Sequence, residues 1–381
     1  MSLPQPTAAI HDDTRIRVMI VDDAVVVRGL MSRWLSAEQD IEVVGTFRNG
    51  REAVDNVIRS RPHVVVLDVE MPELDGLSAL PLLLARRPDL VVIMASTLTR
   101  RNAEISLKAL SLGATDYIAK PETNREVTVS TSFRREIIER IRQLGRSRLP
   151  ALRSRPVGVT SPVEFADAHA RPGIKLKPFP AIMPRAIAVG SSTGGPQALQ
   201  VLLRGLLPIA SRVPILITQH LPPMFTTILA EHLSRICDGR THEAVHGEPV
   251  RPGHIYIAPG AKHMLIERRG PEMSIALNDG PPVHFCKPAV DPFFASAAVA
   301  FGAGLLGVVL TGMGVDGAAG VRKIASAGGA IIVQDEASSV VWGMPGAAAK
   351  TGQCSAILSI DDIAPRILKF FHGSGRDTSR L

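Results

Sequence analysis

The feature that most constrains this chain is a rhythm that runs twice. Short apolar runs recur at helix-length intervals, as IRVMIV, IEVVGTF, HVVVLDV, LVVIMAS and DYIAK before residue 121, and as AIAVG, VPILITQ, LLGVVLTG and GAIIVQD after residue 185. Strand-length runs alternating with helical patterns build a mainly parallel sheet with helices on both faces. Two doubly wound α/β units are therefore expected, and 381 residues exceed what one hydrophobic core usually supports. One stretch departs from the rhythm. GHIYIAPGAKHMLIER alternates and breaks at PGA, which predicts an antiparallel hairpin in or beside the second sheet.

Between the two series, residues 133 to 182 begin as an arginine-rich helical pattern and become proline-punctuated, with little apolar periodicity. This segment reads as a basic, proline-rich linker joining a unit over 15–132 to a unit over 183–372. The formal charge of +7 gathers largely there, not along a recognition helix, so a solvated spacer is expected and no nucleic-acid partner. No apolar stretch approaches the roughly 20 residues that a bilayer span requires, so no membrane insertion is expected. MSLPQPTAAIHDD has no basic segment leading into an apolar core, and Cys237, Cys286 and Cys354 are few and far apart. A soluble, cytoplasmic protein fits these features.

In an open parallel sheet, ligands bind beyond the carboxyl ends of the strands. Asp22 and Asp23 end VMIVDD and Asp68 ends HVVVLD, so three carboxylates should meet on one rim. Like charges held that close call for a cation, and oxygen ligands of this kind suit Mg²⁺. Ser96 and Lys120, ending the fourth and fifth runs, reach the same rim, where an ammonium and a hydroxyl would stabilise a transferred phosphoryl group. With VDD, LDVEMPELDG, AST and KP in order, residues 15 to about 130 resemble a response-regulator receiver domain. The resemblance implies a flavodoxin-like fold, Asp68 as phospho-acceptor, and Mg²⁺ on Asp23 and Asp68 with Asp22 helping. It further implies Ser96 and Tyr117 as a switch pair, Lys120 as the phosphoryl contact, and a CheA-type histidine kinase as donor. Pro81 falls inside the helical pattern after the third run, and is expected to interrupt that helix or delay its start.

The second series opens with AVGSSTGGPQALQ, where GSSTG places Ser192 at the centre of a GxSxG pattern between a strand and a helix. The flanking glycines suit a sharp turn, and Pro196 suits the first helical turn, whose positive end faces charge developing near Ser192. No GK[ST] phosphate loop or GxGxxG fingerprint competes. A serine hydroxyl needs a histidine base and a carboxylate to orient it. His220 ends the strand after the elbow unit, whereas His254 and His263 flank the predicted hairpin and His232, His242 and His246 lie in a polar region. For the acid, Asp316 leaves a buried strand through the glycine-rich loop TGMGVDG, with Asp335 its rival. Asp316 is preferred because that loop exposes backbone amides able to bind an oxyanion.

The order Ser, His, Asp is not that of the α/β-hydrolases. Through GSSTGG, TQHLPPMFT, IYIAPG, LTGMGVDGA and GMPGAA, residues 183 to 372 resemble the catalytic domain of the CheB family of chemotaxis methylesterases. The resemblance implies protein-glutamate methylesterase and protein-glutamine glutaminase activity on methyl-accepting chemoreceptors, regulated by phosphorylation of the receiver. It carries Ser192, His220 and Asp316 into the roles already assigned, and sets Thr193 and Met313 beside the substrate. No cofactor is expected for the esterase reaction.

Overall fold

The computed structural model describes residues 14–97, 99–121, 130–146, 148, 174–270 and 272–372. The amino-terminal stretch, most of the expected linker and the tail lie outside the described residues. The chain divides into two compact units, each with its own sheet.

In the first, β1 (Ile16–Val21), β2 (Ile41–Phe47), β3 (Val64–Asp68), β4 (Val91–Thr97) and β5 (Asp116–Lys120) lie in the order β2-β1-β3-β4-β5, all parallel. The order reverses beside β1, so a crevice opens at the carboxyl ends of β1 and β3. Val64 to Leu67 are fully buried, as a strand covered on both faces must be. Helices α1 (Val25–Ser36), α2 (Gly50–Ser60), α3 (Gly76–Arg86) and α4 (Arg100–Ser111) alternate with the strands along the chain. Caps start two of them: Asn49 Oδ1 accepts from Glu52 N at 2.8 Å and Asp75 Oδ1 from Ser78 N at 2.7 Å. Each is worth about 1 kcal/mol.

Pro81 neither interrupts α3 nor delays it, contrary to the sequence expectation; the helix runs unbroken from Gly76. The reason is position. Ala79, Leu80 and Leu83 face the core while Pro81 is exposed, so the carbonyl one turn back that loses its amide partner lies toward water.

The arginine-rich pattern after residue 130 is helix α5 (Thr131–Arg146). Phe133, Ile137, Ile141 and Leu144 recur at helical spacing and are buried in the first unit, with Gly145 packed on Ile16. Its polar side is also engaged. Arg140 pairs with Asp116 and donates to the Tyr117 carbonyl at 3.0 Å, and Arg142 binds Asp40 at 2.8 Å and Glu38 at 2.6 Å. These partners hold the Arg142 guanidinium more basic than usual and the Asp40 carboxyl below its ordinary value, chiefly through their mutual hydrogen bonds.

The second unit is built on β6 (Ala186–Ser191), β7 (Ile215–Gln219), β8 (Thr241–Glu243), β9 (Ile255–Ile257), β12 (Leu305–Val309), β13 (Ala330–Gln334) and β14 (Ala356–Leu358). All are parallel, in the order β14-β13-β12-β6-β7-β9-β8. Helices α6 (Gly195–Leu206), α7 (Phe225–Ile236), α8 (Val290–Phe301), α9 (Ala318–Ser326), α10 (Gly343–Lys350) and α11 (Ile360–His372) connect or flank them. Phe293, Phe294, Tyr256 and Met344 fill a core on one face. Because β7 and β12 extend the sheet in opposite directions from β6, the carboxyl end of β6 is the reversal point.

An antiparallel hairpin is present, but its arms are not those expected. β9 joins the large sheet parallel to β7, and the hairpin pairs β10 (His263–Arg269) with β11 (Glu272–Asn278), with Gly270 at φ +62° beside the turn. Tyr256 explains the choice: buried between its neighbours, it anchors β9 by donating to the Pro249 carbonyl at 2.9 Å and accepting from Arg251 N at 3.0 Å.

Candidate functional site

At the first sheet's rim, Lys120 Nζ lies 2.7 Å from Asp68 Oδ1 and 3.1 Å from Asp22 Oδ2. Asp22 and Asp68 are buried and Asp23 is exposed. Burial pushes the Asp68 carboxyl up to about 6, with Asp22 adding to the rise and Lys120 opposing it. Burial likewise raises Asp22, with Lys120 opposing. Burial would lower Lys120, but the two carboxylates outweigh it and keep the ammonium charged. Gly76 is required where the chain folds back over this site, because a Cβ there would stand 1.9 Å from the Asp68 carbonyl oxygen. Ser96 and Tyr117 are both buried, and burial pushes the Tyr117 hydroxyl well above its usual value. Carboxylate oxygens of Asp22, Asp23 and Asp68 all lie within 4.8 Å of one another, a hard donor set that fits Mg²⁺.

At the second rim, Ser191 pairs with Gln219 across β6 and β7, and His220 N donates to the Ser191 carbonyl at 3.1 Å. On the other side of β6, Ser192 N donates to the Thr311 carbonyl at 3.0 Å. Ser192 therefore sits between the ends of β7 and β12. It is half-buried, whereas Ser191 is fully buried with its hydroxyl donated to Gln219 Oε1 at 2.6 Å. The two flanking glycines serve different ends. Gly194 adopts φ +75°, but Gly190 lies in a strand and is needed because a Cβ would stand 2.5 Å from Val290 Cγ1. Pro196 occupies the first turn of α6 as expected.

His220 Nε2 donates to Asp316 Oδ2 at 2.8 Å, and both side chains are largely buried. Asp316 is held by three further donors: Val290 N at 2.6 Å, Asp291 N at 2.9 Å and Gly317 N at 2.9 Å. Burial alone would raise Asp316, but His220 and the Val290 and Asp291 amides hold it below the ordinary carboxylate value. Burial would lower His220, yet its hydrogen bond to Asp316, reinforced by Cys286, pushes the imidazole up to about 9. Cys286 Sγ lies 3.4 Å from His220 Nδ1. With Nε2 turned to Asp316, Nδ1 is the ring nitrogen that faces Cys286 Sγ and is not engaged by the carboxylate.

His284, Asp291 and Asp316 also converge within 4.8 Å. Asp316 has both oxygens committed to four donors, and Asp291 accepts from Gly320 N at 2.7 Å and His284 Nε2 at 3.2 Å. This is a hydrogen-bonded network whose lone pairs are already engaged, a poor donor set for a metal.

The other histidines named from sequence are placed elsewhere. His242 bonds Glu248 at 3.0 Å and packs with His254 against Tyr256, His246 accepts from Leu277 N, and His263 bonds the Pro281 carbonyl. His232 lies on α7, where burial lowers its basicity. Asp335 caps a turn through Ser338 N at 3.0 Å and Ser338 Oγ at 2.6 Å. Thr193 is buried beside the elbow, its carbonyl accepting from Thr311 Oγ1 at 2.9 Å. Met313 is half-buried in the loop whose Gly312 packs on Ser192; a Cβ at Gly312 would stand 2.9 Å from Ser192 Cβ. Sequence reasoning named Thr311 only as the start of the TGMGVDG loop and missed Cys286 and Gln219 at this rim. Gln219 carried a signal, as the polar residue ending the apolar run before His220.

Two family models match the chain: the response regulator receiver domain over residues 18–131 and CheB methylesterase over residues 187–367. A protein-glutamate methylesterase/protein-glutamine glutaminase of Nitrobacter hamburgensis is 55% identical over 360 residues, covering 94% of each chain. One of the group 2 operon of Bradyrhizobium diazoefficiens is 55% identical over 375 residues, again covering 94% of each. Among solved structures, the Thermotoga maritima CheB methylesterase catalytic domain is 34% identical, covering 49% of this chain and 99% of its own, with a TM-score of 0.47.

Proposed function

The chain belongs to the CheB family of protein-glutamate methylesterases/protein-glutamine glutaminases, and from that premise we propose how its two rims work together. The enzyme hydrolyses glutamate γ-methyl esters on chemoreceptors and deamidates particular receptor glutamines, under control of a receiver phosphorylated by a CheA-type histidine kinase. The observation that carries the hydrolytic reading is the 2.8 Å bond from His220 to Asp316, on a strand end hydrogen-bonded to the elbow that bears Ser192.

Ser192 Oγ attacks the side-chain carbonyl while His220 Nδ1 takes its proton. Asp316 keeps Nε2–H pointed away and stabilises the imidazolium. The amides of Thr193 and Met313 hold the tetrahedral oxyanion, a contact whose loss commonly costs about 3 kcal/mol. His220 returns the proton to departing methanol, or to ammonia from a glutamine, leaving an acyl-enzyme. Water then attacks with the same base assisting, releasing glutamate and restoring the serine. In the receiver, Asp68 accepts the phosphoryl group and Lys120 neutralises its oxygens. Asp22, Asp23 and Asp68 would hold Mg²⁺, which supplies charge neutralisation for the transfer.

The test is methanol release from methylated receptor fragments, with and without a small-molecule phosphodonor and Mg²⁺. Stimulation of roughly 5- to 150-fold is expected, the usual range for coupling between two sites, and it should vanish in Asp68→Asn. An unstimulated wild type would remove phosphorylation control from the reading; no methanol under any condition would remove the esterase.

The base also sets a pH signature. His220 must be neutral to act, and its partners favour the charged form, so kcat/KM should climb with pH through about 9. The same pairing stabilises the fold below the usual 6.5 of imidazole, and that contribution fades as pH rises through about 9. Because Cys286 contributes to the rise, Cys286→Ala should move the midpoint down, and each unit of fall should raise kcat/KM at neutral pH about tenfold. An unmoved midpoint in pH–rate profiles would dissociate Cys286 from the base.

A further inference from the structure

We infer that Gln219 is a positioning residue for the hydrolytic reaction, a clamp that fixes the serine elbow to the strand carrying the base; this rests on the Ser192–His220–Asp316 reading above. Gln219 ends β7 and is 1% exposed. Its amide spans the seam between β6 and β7. Oε1 accepts from Ser191 Oγ at 2.6 Å, while Nε2 donates to the Ser192 carbonyl at 2.8 Å and reaches the His220 carbonyl at 3.4 Å. One side chain thus holds the residue before the nucleophile, the nucleophile's own carbonyl, and the main chain of the base.

A second observation, independent of those bonds, points the same way. Gly195 opens α6, and a Cβ there would stand 1.9 Å from Gln219 Oε1 and 3.0 Å from Ser191 Cβ. The second glycine of STGG is therefore the space into which this amide is built. Gly195 N also donates to the Ser192 carbonyl at 2.8 Å, so that carbonyl receives two donors and the peptide plane after Ser192 is fixed. Fixing it matters because a reacting oxygen displaced by about 1 Å can cost on the order of 100-fold in rate.

The chemistry of the amide is what the clamp uses, an acceptor at one end and a donor at the other. Gln219→Glu keeps the shape but turns a carboxylate oxygen toward the carbonyls of Ser192 and His220, where a donor is required. Burial should raise that carboxyl's pKa, and its protonated form again offers one donor and one acceptor. The variant should therefore lose about 100-fold in kcat at neutral pH with KM changed little. Its kcat relative to wild type, measured pH by pH, should recover as pH falls. A carboxylate acting only as a charge near His220 would do the opposite: it would raise the basicity of an imidazole that already carries Cys286 and Asp316, so the ratio would recover toward high pH.

The experiment measures kcat and KM for methanol release from methylated receptor fragments across pH, with thermal melts by circular dichroism, for wild type, Gln219→Glu, Gln219→Met and Ser192→Ala of the full chain. Gln219→Met keeps the volume and removes both polar ends, so it carries the test if the glutamate variant does not fold; its kcat should fall while KM holds. Folded Gln219 variants with wild-type kcat overturn the inference, as does a glutamate deficit equal at every pH. An active Ser192→Ala overturns the triad reading itself, whereas an inactive Ser192→Ala beside fully active Gln219 variants overturns only the clamp.

Discussion

Replacing Ser192 with alanine is expected to lower kcat for methanol release by on the order of 10⁶, the loss seen when a serine nucleophile is removed from a triad that acts as a unit. The neighbouring hydroxyl offers no rescue. Ser191 is fully buried, and its proton is donated to Gln219 Oε1 at 2.6 Å, so attack from it would require breaking that bond and inverting the turn. Water activated by His220 remains as the residual route, helped only by whatever oxyanion contacts survive. Phosphoryl uptake at Asp68 belongs to the other sheet and should proceed at its wild-type rate, which separates loss of chemistry from loss of fold. The check is methanol release and phosphodonor labelling on the same preparation. Turnover within tenfold of wild type would remove Ser192 from the role of nucleophile.

The parts of this molecule that were legible in its sequence share a physical reason. A parallel strand buried on both faces must be a near-continuous apolar run, and its carboxyl end must be polar where it reaches solvent. Asp22, Asp68, Lys120, His220 and Asp316 could all be placed because each ends or soon follows such a run. Local spacing alone sets Ser192 at the centre of the elbow pattern, and in the structure it is half-buried where Ser191 is fully buried. What escaped was decided by contacts between distant segments. Nothing local distinguishes β9, which enters the large sheet, from β10, which leaves it to pair with β11. Pro81 carries the same breaking signal on either face of a helix, and only the fold shows that its face is wet. Gln219 and Thr311 brace the elbow through its backbone, and such bonds leave no periodic trace. Cys286 reaches His220 across 66 residues, in a loop without regular structure.

Asp316→Asn is expected to reduce kcat by about 10⁴ with a much smaller effect on KM, the behaviour of a triad whose histidine is trapped in the wrong tautomer. Asp316 accepts from four donors, two on each oxygen: His220 Nε2 and Val290 N on Oδ2, Asp291 N and Gly317 N on Oδ1. An amide can satisfy only one of those pairs. Its oxygen is best placed toward Asp291 N and Gly317 N, whose positions are fixed by the start of α8 and the loop entering α9, so its NH₂ turns toward His220. The imidazole then relaxes by accepting at Nε2 and carrying its proton on Nδ1, the nitrogen from which Ser192 must be deprotonated. Loss of the carboxylate also removes a group that raises the basicity of His220, so the midpoint of the residual pH–rate profile should fall below about 9. Asp335→Asn supplies the contrast, because that carboxylate is occupied with Ser338 N and Oγ in a turn and should change kcat only a few-fold. If Asp335→Asn proved the damaging substitution and Asp316→Asn the mild one, the acid of the triad would have to be reassigned. The 2.8 Å bond between His220 and Asp316 would then be a structural ion pair beside a different mechanism.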